Sequence, residues 1–203
     1  MDKQKMNYTM TNDKTSNLTR EFIVEGIRAI EGEGNERKFT LSFSSEEPYE
    51  RWWGVEILSH DEGAVDLSRL NSIGCLLFNH KRDEVIGKIN KAWIENGRGE
   101  AEVEFDVDED SEKIYQKVKS GTLKGVSVGY KIDSLEEVQA NKKSSNGKFT
   151  GPCDVATKWT PFEISIVSVP ADPTVGVGRS LPNHEDVDYS IYERQIQINK
   201  NLI

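Results

Sequence analysis

The chain has 203 residues, 35% of them hydrophobic and 30% charged, with a formal net charge of −9. That length suits one domain with tails, and the acidic balance excludes general nucleic-acid binding, which needs a basic stripe. Mean hydropathy is −0.62, and no apolar run approaches the roughly 18 residues of a transmembrane helix.

The opening MDKQKMNYTMTNDKTSNLTR lacks the apolar stretch of a signal peptide, so a cytosolic protein is predicted. Residues 1–17 hold no apolar periodicity and are predicted to be disordered. RKFTLSFSS (37–45) sets Phe39, Leu41 and Phe43 on one strand face, EEPYE supplies a break, and RWWGVEILSH (51–60) reads as the next strand. DLSRLNS predicts a short helix with Asp66 as a possible N-cap. CLLFNH (75–80) reads as a buried strand followed by a charged loop, KRDE. VIGKINKAWIE (85–95) and EAEVEFDV then form a hairpin around NGRG, because Asn-Gly between alternating runs is a strong turn signal. In the second arm Ala101, Val103, Phe105 and Val107 face one way, and Glu100, Glu102, Glu104 and Asp106 the other.

DEDSEKIYQKVKSG (108–121) is the one convincing helix: acidic at its start, basic at its end, striped by Ile114, Tyr115 and Val118, and closed by Gly121. The strand LKGVSVGYKI follows, then a polar excursion over EEVQANKKSSNGKFTGPCD that reads as a mobile surface loop. WTPFEISIVSVPADP (159–173) returns to strand. Many strands and one good helix predict a β-rich α+β domain, a mostly antiparallel barrel or sandwich with helix packed against it. The predicted limits are a tail over 1–17, a domain over 18–179, and a tail over 180–203 that is either a linker or a removable segment.

Strand alternation divides LKGVSVGYKI into an apolar face (Val126, Val128, Tyr130, Ile132) and an opposite face (Gly125, Ser127, Gly129, Lys131). Glycines on both sides of Ser127 mark either a bulge with tight packing or clearance for an approaching ligand. The strand runs on through the serine, unlike the strand–turn–helix elbow of α/β-hydrolases. A serine needs a base. Of three histidines, His60 at a strand-to-turn edge suits a solvated or capping role, and His184 in the acidic tail suits exposure. His80, at the end of an apolar run, is the best-placed base, with a structural role as the other reading. Glu163, between Phe162 and Ile164, either faces solvent with Ser165 or orients the base; Asp83 is the fallback orienter. Cys75 and Cys153 read as ordinary thiols, and no His or Cys spacing suits a metal. VGVGRS opens no helix, so no phosphate-binding loop is predicted.

Three segments together resemble the tailed-bacteriophage prohead maturation proteases, a serine endopeptidase family distantly like the herpesvirus capsid proteases. GCLLFNHKRDEVIGKI resembles its histidine motif, VKSGTLKGVSVGYKI its serine motif, and FEISIVSVPADPTVGVGRS its carboxylate strand. Lys81 and Arg82 depart from the pattern, which has acidic or small residues after the histidine. The resemblance implies a compact β-barrel with flanking helices and a catalytic set of His80 as base, Ser127 as nucleophile and Glu163 as orienter. It implies no cofactor. It places the protein in the bacterial host cytoplasm, inside the assembling prohead, with the major capsid protein and scaffold segments as peptide substrates. The herpesvirus likeness also allows a homo-oligomer. The alternatives are a catalytically silent capsid-assembly module of the same fold and a soluble serine esterase.

Overall fold

The structure is a computed structural model that describes residues 14–15, 18–23 and 27–169. All of them fall in the first of two compact units, Met1–Asp172 and Pro173–Ile203. The predicted boundary at 179, the tail 180–203 and His184 lie outside the described residues. So does most of the 1–17 stretch, but Thr15 accepts a backbone hydrogen bond from Ile132 at 2.8 Å, and Lys14 pairs with Asp154 at 3.1 Å.

The strands are β1 (Leu18–Ile23), β2 (Arg28–Ala29), β3 (Lys38–Ser45), β4 (Tyr49–Arg51), β5 (Gly54–Leu58), β6 (Cys75–Phe78), β7 (Lys81–Glu95), β8 (Arg98–Phe105), β9 (Gly125–Val138) and β10 (Cys153–Val167). Helix α1 (Ser68–Ile73) lies between β5 and β6, and α2 (Glu109–Lys119) between β8 and β9. One sheet runs β1-β9-β10-β6-β7-β8-β3-β2. β10 is its spine: antiparallel to β9 along most of its length, parallel to β5 near its start (Asp154 to Ala156) and to β6 near its end (Ile164 to Ile166).

The expected barrel does not close. β1 and β2 end the strand order without bonding to each other among the described residues. β3 comes near β9 and β1 by packing alone, and the two-residue β2 is too short to carry a ladder across the gap.

Where one face of a segment packs into the core, its apolar period survives folding. Val126, Val128, Tyr130 and Ile132 are all buried, as are Phe39, Leu41 and Phe43, and each such aliphatic side chain contributes about 1.5–3 kcal/mol. Ala101, Val103 and Phe105 join them, but Val107 lies past the end of β8 and is 82% exposed. In α2, Asp108 accepts from the Asp110 and Ser111 amides, Ile114, Tyr115 and Val118 are buried, and Gly121 takes a φ of 74°. Asn96 and Gly97, at φ 51° and 70°, turn β7 into β8.

Three segments differ from expectation. The predicted strand over 51–60 is interrupted: Trp52 and Trp53 turn between β4 and β5, so Tyr49 and Glu50 of the expected break are strand. KRDE is the start of β7 rather than a loop. The polar excursion after β9 is tied by its own bonds, Ser144 N–H to the Phe149 carbonyl at 2.9 Å and Gly151 N–H to the Lys142 carbonyl at 2.9 Å. Asp66 accepts from the Ser68 amide at 3.0 Å, although Leu67 occupies the cap position of α1.

Candidate active site

Phe78 pairs with Lys81, so Asn79 and His80 are the two central residues of a tight hairpin turn. Both take positive φ, 51° and 60°, the geometry of a type I′ turn, which favours asparagine and glycine. A histidine there stores about 1–3 kcal/mol of backbone strain. Three bonds to the end of β10 hold the turn. Asn79 N–H donates to the Ile166 carbonyl at 2.9 Å, Ser168 N–H donates to Asn79 Oδ1 at 2.9 Å, and His80 N–H donates to Ser165 Oγ at 3.2 Å. The imidazole therefore projects from a fixed hairpin tip rather than from a strand.

Its partner comes from β10. His80 Nδ1 lies 2.5 Å from Glu163 Oε1, and Ser165 Oγ donates to Glu163 Oε2 at 2.7 Å. Two local features aim this carboxylate. The pairing of β10 with β9 slips between Pro161 and Glu163, leaving Phe162 as a bulge, and bulges re-aim the side chains beside them. Opposite Glu163 stands Gly129, where a Cβ would lie 2.5 Å from Glu163 Oε1 and 2.7 Å from Phe162. The glycine two residues past Ser127 is the space in which the carboxylate lies.

Ser127 pairs with Ser165 across β9 and β10, which puts Ser127, Gly129, Glu163 and Ser165 on one face of the sheet. With Nδ1–H donated to the carboxylate, the ring's Nε2 carries the lone pair, as a base requires. That nitrogen is shut off from solvent. Ser127 is not hydrogen-bonded to His80. β1 covers the outer edge of β9, with Glu21 opposite Ser127. The Ser127 hydroxyl donates to the Arg20 carbonyl at 3.1 Å, and the residue is fully buried. Arg20 fastens β1 from the other face: its side chain is 1% exposed, donates to the Glu47 carbonyl and lies over the Tyr49 ring at 5.0 Å.

His80 and Glu163 border an open cleft of about 630 Å³, with Leu77 and Phe162 as apolar walls and Arg69, Arg82 and Lys131 as its cations. Asp83, the fallback orienter, is exposed on β7. Cys75 edges the same cleft, and Cys153 is buried elsewhere. Among the described residues, no group of three His, Cys, Asp or Glu is placed to hold a metal ion.

His60 is neither solvated nor a cap. It is 7% exposed, accepts from Ser44 Oγ at 2.7 Å through Nε2, donates to the Leu58 carbonyl at 2.9 Å through Nδ1, and meets Trp159 edge-on. Burial pushes its pKa down to about 4, so the ring is neutral near pH 7.

Sequence reasoning gave Ser165 no role beyond sharing a face with Glu163, and it passed over Arg20. Strand alternation does place Ser165 beside Glu163, and Pro161 inside a strand signals the bulge. Nothing local signals that Arg20 is buried.

The profile of the caudovirus prohead serine protease family matches residues 61–188. A major capsid protein of Halomonas phage phiHAP-1 is 40% identical over 144 residues, 69% of this chain. The match spans only 23% of that relative's length. The solved bacteriophage T4 capsid assembly protease aligns over 78% of this chain and all of its own, with a TM-score of 0.48 and 10% identity.

Proposed function

The chain belongs to the caudovirus prohead serine protease family, and from that premise we propose that it is a serine endopeptidase using Ser127, His80 and Glu163. The observation that carries the reading is the His80–Glu163 contact of 2.5 Å on the sheet face that also holds Ser127. Glu163 keeps Nδ1 protonated and the ring in place. Nε2 takes the Ser127 proton as the hydroxyl oxygen attacks a peptide carbonyl, then returns it to the leaving amine. Water hydrolyses the acyl-enzyme by the same route in reverse. No step calls for a cofactor.

With β1 seated, Ser127 is covered. Turnover begins when β1 leaves the edge of β9, and an extended substrate then adds there as a strand through main-chain bonds. Segments of the major capsid protein and of the scaffold, inside the assembling prohead, are the proposed substrates. The chain's own flanking segments are a further one.

A second reading, a capsid-assembly module without turnover, draws on one observation, the complete burial of Ser127. Intact-mass spectrometry of wild-type and Ser127→Ala protein, alone and co-expressed with the capsid protein, separates the two. The protease reading expects new termini in the wild type only. Unchanged masses in both proteins under both conditions would leave the silent module.

A further inference from the structure

The cleft beside His80 and Glu163 is basic in a protein whose formal net charge is −9. Its cations come from three separate elements: Arg69 on α1, Arg82 on β7 and Lys131 on β9. All three are exposed. Lys131 is engaged by Asp133 at 2.7 Å. Arg69 and Arg82 have no ion pair among the described residues, though 30% of the chain is charged and acids outnumber bases by 35 to 26. Among the described residues that line the cleft, the one carboxylate, Glu163, is bonded to His80 and Ser165. Two guanidinium groups thus border an open cleft with no ion pair among the described residues. Arginine offers a planar fork that fits carboxylates in pairs of hydrogen bonds. Between them, Leu77 and Phe162 give the cleft apolar walls.

We infer that this cleft selects extended peptides bearing acidic side chains, with Arg69 and Arg82 as the specificity-determining residues. The inference rests on the protease reading and names its substrate class. Glu or Asp side chains beside the cleaved bond reach the two arginines while the peptide backbone runs past His80. The protein's negative charge elsewhere keeps acidic chains from binding indiscriminately, so the preference is local to the cleft.

The test is a binding measurement, which does not require turnover. A fluorescent peptide of alternating Ala and Glu is titrated against full-length Ser127→Ala protein at low salt, beside its counterpart with Gln in place of Glu. The Glu peptide should bind about tenfold more tightly, with the advantage shrinking as salt rises. The double variant Arg69→Ala/Arg82→Ala should remove the advantage, and Lys142→Ala/Lys143→Ala, outside the cleft, should leave it intact. Equal binding of the two peptides would overturn the inference. So would a preference that survives loss of both arginines, or one that disappears with Lys142 and Lys143. Each of these results leaves the protease reading to stand or fall on the mass comparison of Ser127→Ala with the wild type.

Discussion

Among its described residues the protein holds two histidine corners, and they are opposites. At the first, Ser44 and His60 already form the serine–histidine hydrogen bond that a hydrolase needs, at 2.7 Å. Yet Ser44 is 1% exposed, and the second ring nitrogen is spent on a backbone carbonyl. At the second corner, His80 has a carboxylate on Nδ1 and an open cleft at its side, but the serine of its sheet face is covered by β1. A serine touching a histidine is therefore no sign of a site by itself. What separates the corners is the carboxylate on a ring nitrogen, the open cleft beside it, and a serine covered by a strand rather than bonded to the ring.

Substitutions sharpen this contrast, and the largest effect belongs to the second corner. Ser127→Ala or His80→Ala should lower peptide cleavage by a thousandfold or more. Ser44→Ala should leave the rate per folded molecule unchanged and cost about 1–3 kcal/mol of stability, because a buried His60 nitrogen loses its donor. Steady-state kinetics and denaturant titration on the same samples separate the two. Equal losses of activity at both corners would erase the distinction.

Next in size is Glu163→Gln, which keeps the shape and removes the charge that stabilises the imidazolium. Activity should fall by roughly two to four orders of magnitude, with far-UV circular dichroism unchanged. Gly129→Ala attacks the same contact through sterics. Its Cβ would meet Glu163 Oε1 at 2.5 Å, so the carboxylate must move. A loss of about ten- to a hundredfold in activity and of about 1–3 kcal/mol in stability is expected. A wild-type rate in Gly129→Ala would show that the His80–Glu163 geometry is not needed.

The effect at His60 falls on stability and its pH dependence and leaves the rate near pH 7 untouched. Its pKa in the fold is about 4 against an ordinary 6.5, so the unfolded chain binds the extra proton first as pH falls. Stability from this residue is fully present above pH 6.5, declines between 6.5 and 4, and is flat below that. The decline is roughly 3 kcal/mol. Denaturant titrations of wild type and His60→Gln across that range should show the steeper decline in the wild type, because the carboxylates held below their ordinary pKa contribute to both.

Much of this architecture could be read from the sequence wherever a pattern is local. The alternation around Val126, Val128 and Tyr130, the Asn96-Gly97 turn and the acidic start and glycine end of α2 all report on neighbours a few residues away. His80, Ser127 and Glu163 could also be singled out, from their strand settings and from family motifs. What could not be read depends on partners far along the chain. Asn79-His80 looks like the end of a strand until Phe78 is seen to pair with Lys81. KRDE looks like a loop because charged residues can also alternate on an exposed strand. Gly129 looks merely flexible until Glu163 arrives opposite it from β10. The cover over Ser127 comes from more than a hundred residues away, beside a polar stretch with no periodicity, and Arg20 carries no mark of its burial. Barrel closure depends on whether two distant edges meet, which no local pattern records.

The most direct test of the account is covalent labelling of the intact protein by diisopropyl fluorophosphate, read by intact mass and peptide mapping. Wild type, Arg20→Ala and Ser127→Ala proteins are compared, with circular dichroism to establish that each is folded. One adduct is expected, on Ser127, forming slowly in the wild type, about tenfold faster when Arg20 no longer fastens β1, and absent in Ser127→Ala. An adduct on another serine, such as Ser44 or Ser165, or no adduct in either wild type or Arg20→Ala, would contradict it.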